Sequence, residues 1–218
     1  METRNELIVD ALRYANATKI ESIHTEIYTV DNFFSTDYCN ATIKSCKNNF
    51  LRSQVLGDYG KTTRTIRTSS TCKLSLCDPQ TSKQTEDKIY KFLLGHTSPE
   101  DEHIQVQKYE LGQFYGEHYD WMPPWWGKYN NFKITKEQRS WTIMVYLNDV
   151  KKGGETTFRY LNHSFKPKAG MAIIWNNLKR DGRPNPFTLH EAKPVLKGTK
   201  WVLTKWLRHK EANIKSHC

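Results

Sequence analysis

Apolar and polar positions recur along this chain in two rhythms, and the change comes near residue 104. Before it, "STDYCNATIKSCKNNFLRSQ" (35–54) repeats apolar residues at helical spacing behind Ser35 and Thr36, residue types that cap helix starts. "TSKQTEDKIYKFLLGH" (81–96) repeats the pattern and closes on Gly95. The stretch "ESIHTEIYTVDNFF" (21–34) alternates like a strand. Beyond residue 104 a period of two takes over. "HIQVQKYELGQFYGEHYDW" alternates with Gly112 and Gly116 as turn or bulge points, and "SWTIMVYLND", "AGMAIIWNN" and "TKWVLTKWLR" follow as strands. Gly153-Gly154 marks a turn in "VKKGGETTF". Helices first and short strands after predict an α+β protein. The expected architecture is a double-stranded β-helix (jelly-roll) core over about 104–208 with N-terminal supporting helices over about 1–100, all in a single domain 1–218.

Composition sharpens this picture. All seven tryptophans fall between Trp121 and Trp206, which places the dense core in the second half. No run of about 18 apolar residues exists to span a membrane, and the opening stretch lacks a signal-peptide pattern, so a cytoplasmic address is expected. Five cysteines (Cys39, Cys46, Cys72, Cys77, Cys218) show no CxxC spacing and read as mostly reduced thiols. Cys72 and Cys77 flank a short loop and would pair in an oxidising compartment, whereas Cys39 and Cys46 sit too far apart on one helix. The net charge of +10 comes from widely spread basic residues, denser at Lys197, Lys200, Lys205, Arg208 and Lys210. Scattered surface lysine is the favoured reading over a nucleic-acid patch.

The candidate chemistry begins with "YGEHYDWMPPWW" (115–126). Residues i and i+2 of a strand share a face, so His118 and Asp120 aim together. An HxD pair alone is a weak signal and fits a buried histidine beside a carboxylate equally well. Among the other histidines, His24 and His96 fall in the helical support and His163 in a turn-like segment, whereas His190 opens the strand-like "LHEAKPV" of the aromatic half. Two histidines and a carboxylate leave open positions on a metal, the arrangement a non-haem Fe(II) oxygenase needs. Lys200 shares strand parity with Val202, Thr204 and Trp206, an apolar face ending in one ammonium. Either that ammonium snorkels to water or it meets an anion, which a metal-chelating dicarboxylate would supply, with the Tyr109 phenol beside it.

These segments together resemble the prolyl 4-hydroxylase family of 2-oxoglutarate- and Fe(II)-dependent dioxygenases, over roughly residues 28–208. The carriers are "YTVDNFFSTDYCNATI", "RTSST", "QVQKYELGQFYGEHYDW", "RSWTIMVYLNDVKKGGETTF" and "KPKAGMAIIWNN…LHEAKPVLKGTKWVLTKW", in the family's order and spacing. The resemblance implies that His118, Asp120 and His190 hold Fe(II). It implies that Lys200 pairs with the distal carboxylate of the cosubstrate 2-oxoglutarate, with Tyr109 and Thr156 hydrogen-bonding near it and Trp206 lining the same pocket. Arg139, Arg67 and Ser69 would face the peptide. Fe(II) and O₂ would then hydroxylate prolyl residues while 2-oxoglutarate decarboxylates to succinate, with ascorbate as a candidate reductant. The implied partner is a proline-containing peptide or protein, collagen-like substrates included, with neither a membrane nor nucleic acid involved.

Two departures bear on the substrate. "WMPPWWGKYNNFKITKEQ" is aromatic and carries Pro123-Pro124 where the family has a charged, glycine-bearing stretch, and "HEAKPV" replaces its histidine–small–glycine pattern. Competing readings keep the same oxygenase chemistry on a lysyl residue, small molecule or alkylated nucleic acid, or make the chain a non-catalytic jelly-roll binding module. Trp125 and Trp126, with Trp121, are expected to border the site on a lid-like loop and stack on proline rings. Replacing Trp125 and Trp126 by alanine is expected to raise the peptide KM by about tenfold, with iron binding unchanged. Steady-state kinetics beside a metal titration checks this, and unchanged peptide kinetics refutes it.

Overall fold

Helices and strands fall where the two rhythms place them. The computed structural model describes residues 4–53, 66–97, 101–122 and 137–210. Its helices are α1 (Arg4–Tyr14), α2 (Thr36–Cys46), α3 (Leu74–Cys77) and α4 (Pro79–Phe92). Its shorter strands are β1 (Thr18–Lys19), β2 (Ile27–Val30), β3 (Leu51–Arg52), β4 (Ser70–Lys73), β5 (Gln105–Tyr109) and β6 (Tyr115–His118). After them come β7 (Glu137–Tyr146), β8 (Lys152–Gly153), β9 (Thr156–Phe158), β10 (His163–Phe165) and β11 (Ala172–Asn176). The last are β12 (His190–Ala192), β13 (Val195–Lys197) and β14 (Lys200–Lys210).

Two antiparallel sheets carry the fold. The larger runs β1-β2-β11-β7-β14-β5-β4-β3 and the smaller runs β10-β9-β12-β6, with β13 and β8 as a separate pair. Strand parity divides the larger sheet into two faces. Trp141, Ile143 and Val145 of β7, Ala172 and Ile174 of β11, and Trp201, Leu203 and Leu207 of β14 join one core. That core continues into Ile8 and Leu12 of α1, Cys39 and Cys46 of α2, and Ile89 of α4. The alternate residues Met144, Tyr146, Ile173, Trp175 and Val202 turn the other way and pack with Phe158, Phe165 and Ala192 of the smaller sheet. This is the jelly-roll core with supporting helices that the sequence predicts.

Local chemistry explains the helix boundaries. Ser35 caps α2 by accepting from the Tyr38 N–H, and Asp78 caps α4 by accepting from Thr81 with Pro79 in the first turn. The polar first stretch forms α1 because Ile8, Ala11 and Leu12 bury one narrow stripe. The strand expected over 21–34 shortens to β2, since Asn32 takes a left-handed φ of 52° and turns the chain into α2. His163 lies in β10 rather than in a turn, and His24 stacks on Phe187 at 4.0 Å rather than joining the helical support.

The cysteines and the basic group also depart from expectation. The one-turn helix α3 brings Cys72 and Cys77 together as a disulfide, while Cys39 and Cys46 are free and buried. The denser basic group is no surface patch, because Lys200 and Lys205 are buried. Lys205 lies on the helix-facing parity of β14 and reaches Glu86 of α4 at 2.8 Å.

Gly170 fixes the corner that joins these layers. Its φ is +78°, its N–H donates to the Tyr146 carbonyl at 2.8 Å, and its carbonyl accepts from Phe34 N–H at 3.2 Å. A Cβ here would stand 2.1 Å from the Phe34 carbonyl oxygen. Gly170→Ala is therefore expected to cost on the order of 3 kcal/mol and to lower Tm by roughly 6–12 °C. Thermal unfolding followed by circular dichroism measures it, and a Tm within about 2 °C of the parent refutes it.

Candidate active site

Register assembles the triad. His118 ends β6 and His190 begins β12, and the two are direct antiparallel partners, with ring centroids 4.2 Å apart. Asp120 follows two residues after His118 and points its Oδ1 at both rings, 3.8 Å from His118 Nε2 and 4.0 Å from His190 Nε2. Backbone carbonyls orient the imidazoles: Gly116 lies 2.8 Å from His118 Nδ1, and Thr188 lies 2.9 Å from His190 Nδ1. With Nδ1 donating, each Nε2 turns a lone pair inward, as a metal ligand must. Burial, then the neighbouring His190, holds the His118 pKa well below the ordinary histidine value, so the ring is neutral and able to ligate. Burial alone would raise Asp120, but His190, His118, Arg139 and the Thr142 hydrogen bond outweigh it and keep the carboxyl ionised. Three donor atoms within 4.8 Å of one another, two imidazole and one carboxylate, suit a divalent first-row metal.

A buried cation lies against the same inter-sheet core. Lys200 is 1% exposed, and its Nζ donates to Thr156 Oγ1 at 3.2 Å. The rings of Tyr109 and Tyr146 stand 5.3 and 5.4 Å from it. No carboxylate among the described residues forms an ion pair with it; burial drives its pKa from the ordinary 10.5 down to about 7, with the Glu155 charge opposing the shift. Lys200 is opposite Tyr109 in the β14–β5 register, and Thr156 sits two residues before Phe158, the partner of His190. Two residues of strand span about 7 Å. A five-carbon dicarboxylate is long enough to span such a gap.

Arg67, Ser69 and Tyr115 border the triad. Arg67 is 9% exposed, bonded through Nε to Ser69 Oγ at 2.9 Å and through Nη2 to Thr71 Oγ1 at 3.3 Å. Its guanidinium lies 4.6 Å from the Tyr115 ring, which stacks on His118 at 3.5 Å. Arg139 reaches the site as well, but its donors go to protein groups. Nε and Nη2 clasp Glu102 at 2.5 and 2.7 Å, Nη1 reaches the Asp120 carbonyl at 3.3 Å, and the guanidinium covers the Trp206 ring at 4.1 Å. Trp206 is buried opposite Thr142 in the register, with an Nε1–H that has no partner among the described residues. Trp125 and Trp126 lie outside the described residues. Trp121 stacks on Tyr119 at 4.6 Å.

Other contributors were not apparent in the sequence. Glu102 anchors both Arg139 and Arg208. Gln138 clips the chain beyond Asp120 with two bonds to the Met122 backbone, at 2.6 and 2.7 Å. Thr142 was legible in principle, since a hydroxyl sits at a core parity between Trp141 and Ile143.

Lys200 has a pH consequence. Above about pH 7 it is largely neutral in the free protein, whereas a bound carboxylate favours the ammonium. Dicarboxylate binding at pH 8.5 is therefore expected to take up close to one proton, falling towards none below pH 6. Calorimetry in buffers of different ionisation enthalpy reads the number directly, and Lys200→Met abolishes the uptake. No buffer dependence at pH 8.5 refutes the pairing.

Comparison with known proteins agrees with this geometry. The sequence model of the 2OG-Fe(II) oxygenase superfamily matches residues 104–208. Prolyl 4-hydroxylase 2 of Arabidopsis thaliana is 31% identical over 219 aligned residues, covering 88% of this chain and 71% of that protein. The 2OG complex of the viral collagen prolyl hydroxylase from Paramecium Bursaria Chlorella virus-1 superposes with a TM-score of 0.60 at 25% identity, covering 84% of this chain and 95% of that one. A Trichoplax adhaerens prolyl hydroxylase, in complex with a hypoxia inducible factor peptide fragment, shares the fold at a TM-score of 0.63 and 14% identity, covering 93% of this chain and 87% of that one. The chain thus belongs to the prolyl 4-hydroxylase family of 2-oxoglutarate- and Fe(II)-dependent dioxygenases.

Proposed function

We propose that this protein hydroxylates prolyl residues of a peptide or protein. In this reading His118, Asp120 and His190 hold Fe(II), and Lys200 anchors 2-oxoglutarate. The observation that carries the reading is a buried Lys200 with no ion pair among the described residues, packed on the same inter-sheet core as a His/Asp/His donor set. A buried ammonium without a counter-charge is costly, and a ligand carboxylate removes that cost.

Bound iron supplies the activation of O₂ and the decarboxylation of 2-oxoglutarate; the chain's residues position and shield. His118 and His190 would each donate an imidazole nitrogen, and the ionised Asp120 would neutralise part of the metal charge. Thr156 and Tyr109 offer hydroxyls to the distal carboxylate beside Lys200. The apolar floor of Val202, Met144 and Ile173 excludes water from that end. Arg67 forms no ion pair with a carboxylate among the described residues; it lies beside the Tyr109 phenol and the Tyr115 ring, where its guanidinium, seated by Ser69 and Thr71, would meet a peptide carbonyl. Tyr115 presents a ring for a proline, and Arg139 holds Trp206 and Asp120 in place from behind.

The test is succinate formation from 2-oxoglutarate on Fe(II)-loaded protein, with and without a (Pro-Pro-Gly)-type peptide and a proline-rich non-collagen peptide. Peptide-stimulated turnover with an added oxygen mass on proline is expected, and His118→Ala abolishes it. Which peptide stimulates more identifies the substrate class, collagen-like or not. Arg67→Ala is expected to raise the peptide KM by about tenfold, with a smaller change in peptide-free turnover. Turnover that no proline peptide stimulates refutes the prolyl assignment and leaves the oxygenase chemistry.

A further inference from the structure

Asp120 has a second oxygen, and the structure accounts for it through residues outside the triad. Asp120 Oδ2 accepts from Thr142 Oγ1 at 2.7 Å. Thr142 Oγ1 in turn accepts from Asn177 Nδ2 at 2.9 Å, and Asn177 Oδ1 accepts from Trp175 Nε1 at 2.9 Å. Asn177 and Thr142 are fully buried, Trp175 is 1% exposed and Asp120 6%. Trp175 and Thr142 are cross-strand partners on β11 and β7, so the sheet register itself fixes their separation. The Asn177 backbone is tied on both sides, its N–H to the Ser140 carbonyl at 2.6 Å and its carbonyl to the Asn185 N–H at 2.9 Å.

The chain of bonds has one possible polarity. An indole N–H only donates, so the Asn177 oxygen must face Trp175 and its NH₂ must face Thr142. A hydroxyl that already accepts from Asn177 then directs its single proton onward, to Asp120. The terminal indole thus sets the amide orientation, the hydroxyl rotor and the carboxylate in sequence.

We infer that Trp175, Asn177 and Thr142 are positioning residues that hold Asp120 to a single metal-facing oxygen. The inference rests on the metal reading of the triad. A carboxylate with both oxygens free can chelate a metal through both; one whose Oδ2 is held by a hydroxyl offers only Oδ1. The coordination position so spared is one that a bidentate cosubstrate requires. Outer partners of metal ligands carry weight of this kind, typically tenfold to a hundredfold in affinity or activity. The relay sits behind the ligand, touches no substrate and uses no titration.

The test uses Co(II), whose visible spectrum reports coordination without turnover. Variants are Thr142→Val, which keeps shape and removes the hydroxyl; Thr142→Ser, which restores it; Trp175→Phe, which removes the starting donor; and the double variant Thr142→Val/Trp175→Phe. Thr142→Val is expected to bind Co(II) at least as tightly as the parent, with an altered spectrum. Its Kd for 2-oxoglutarate is expected to rise by about tenfold or more. Thr142→Ser should be parent-like and Trp175→Phe intermediate, with the double variant no worse than Thr142→Val alone, because links of one chain are not additive. Parent-like behaviour of folded Thr142→Val, equal damage by Thr142→Ser, or additive effects in the double variant each overturn the relay. Should Thr142→Val fail to fold, Trp175→Phe decides alone, and a parent-like spectrum and 2-oxoglutarate Kd overturn the relay. Parent protein that takes up no Co(II) overturns the metal reading and the relay with it.

Discussion

β7 and β14 pair across the middle of the larger sheet, and both of their faces are buried. This two-sided burial is the constraint on which the rest depends. On one face Trp141, Ile143, Val145, Leu203 and Leu207 clamp the helices; on the other Thr142, Met144, Tyr146, Lys200 and Val202 face the smaller sheet. A slip of one residue would exchange the two sets. The helix clamp thereby fixes which side chains lie between the sheets, beside His118, Asp120 and His190. Burial of each large apolar side chain contributes about 1.5–3 kcal/mol, and polar groups placed on the inner face are tolerated against that background.

Those polar groups are treated unequally. Asp120 is surrounded by donors: Thr142 holds its Oδ2, Arg139 holds its carbonyl, and two imidazoles flank its Oδ1. Lys200 has one neutral hydroxyl and two aromatic rings. One buried charge is closely partnered by the chain, and the other has no ion pair among the described residues, only the more distant Glu155 charge. That asymmetry is what the proposed metal and cosubstrate would exploit.

Much of this was readable from residue order, and the limits are physical. HxD in a strand and a histidine opening a later strand come together because antiparallel register makes His118 and His190 partners. Parity put Lys200 on an apolar face but left open whether its ammonium reached water, and its burial settles that for the interior. The stripe of α1 was harder, since three small or apolar residues in a polar stretch gain meaning only against the core they cover. Arg139 and Glu102 are 37 residues apart, and nothing local announces that their side chains clasp. The relay from Trp175 to Asp120 likewise joins residues from different strands and one strand end, where only three-dimensional register reveals the order. The cysteine pair needed the one-turn helix α3, too short to register as a period.

The two hydrogen bonds between Gln138 and the Met122 backbone have a wider meaning. They tie the chain just beyond Asp120 to the start of β7, the strand that also supplies Thr142. Asp120 is thereby braced from two directions, by the Thr142 hydroxyl within the sheet and by Gln138 at its edge, so a disturbance of the sheet reaches the carboxylate by two routes.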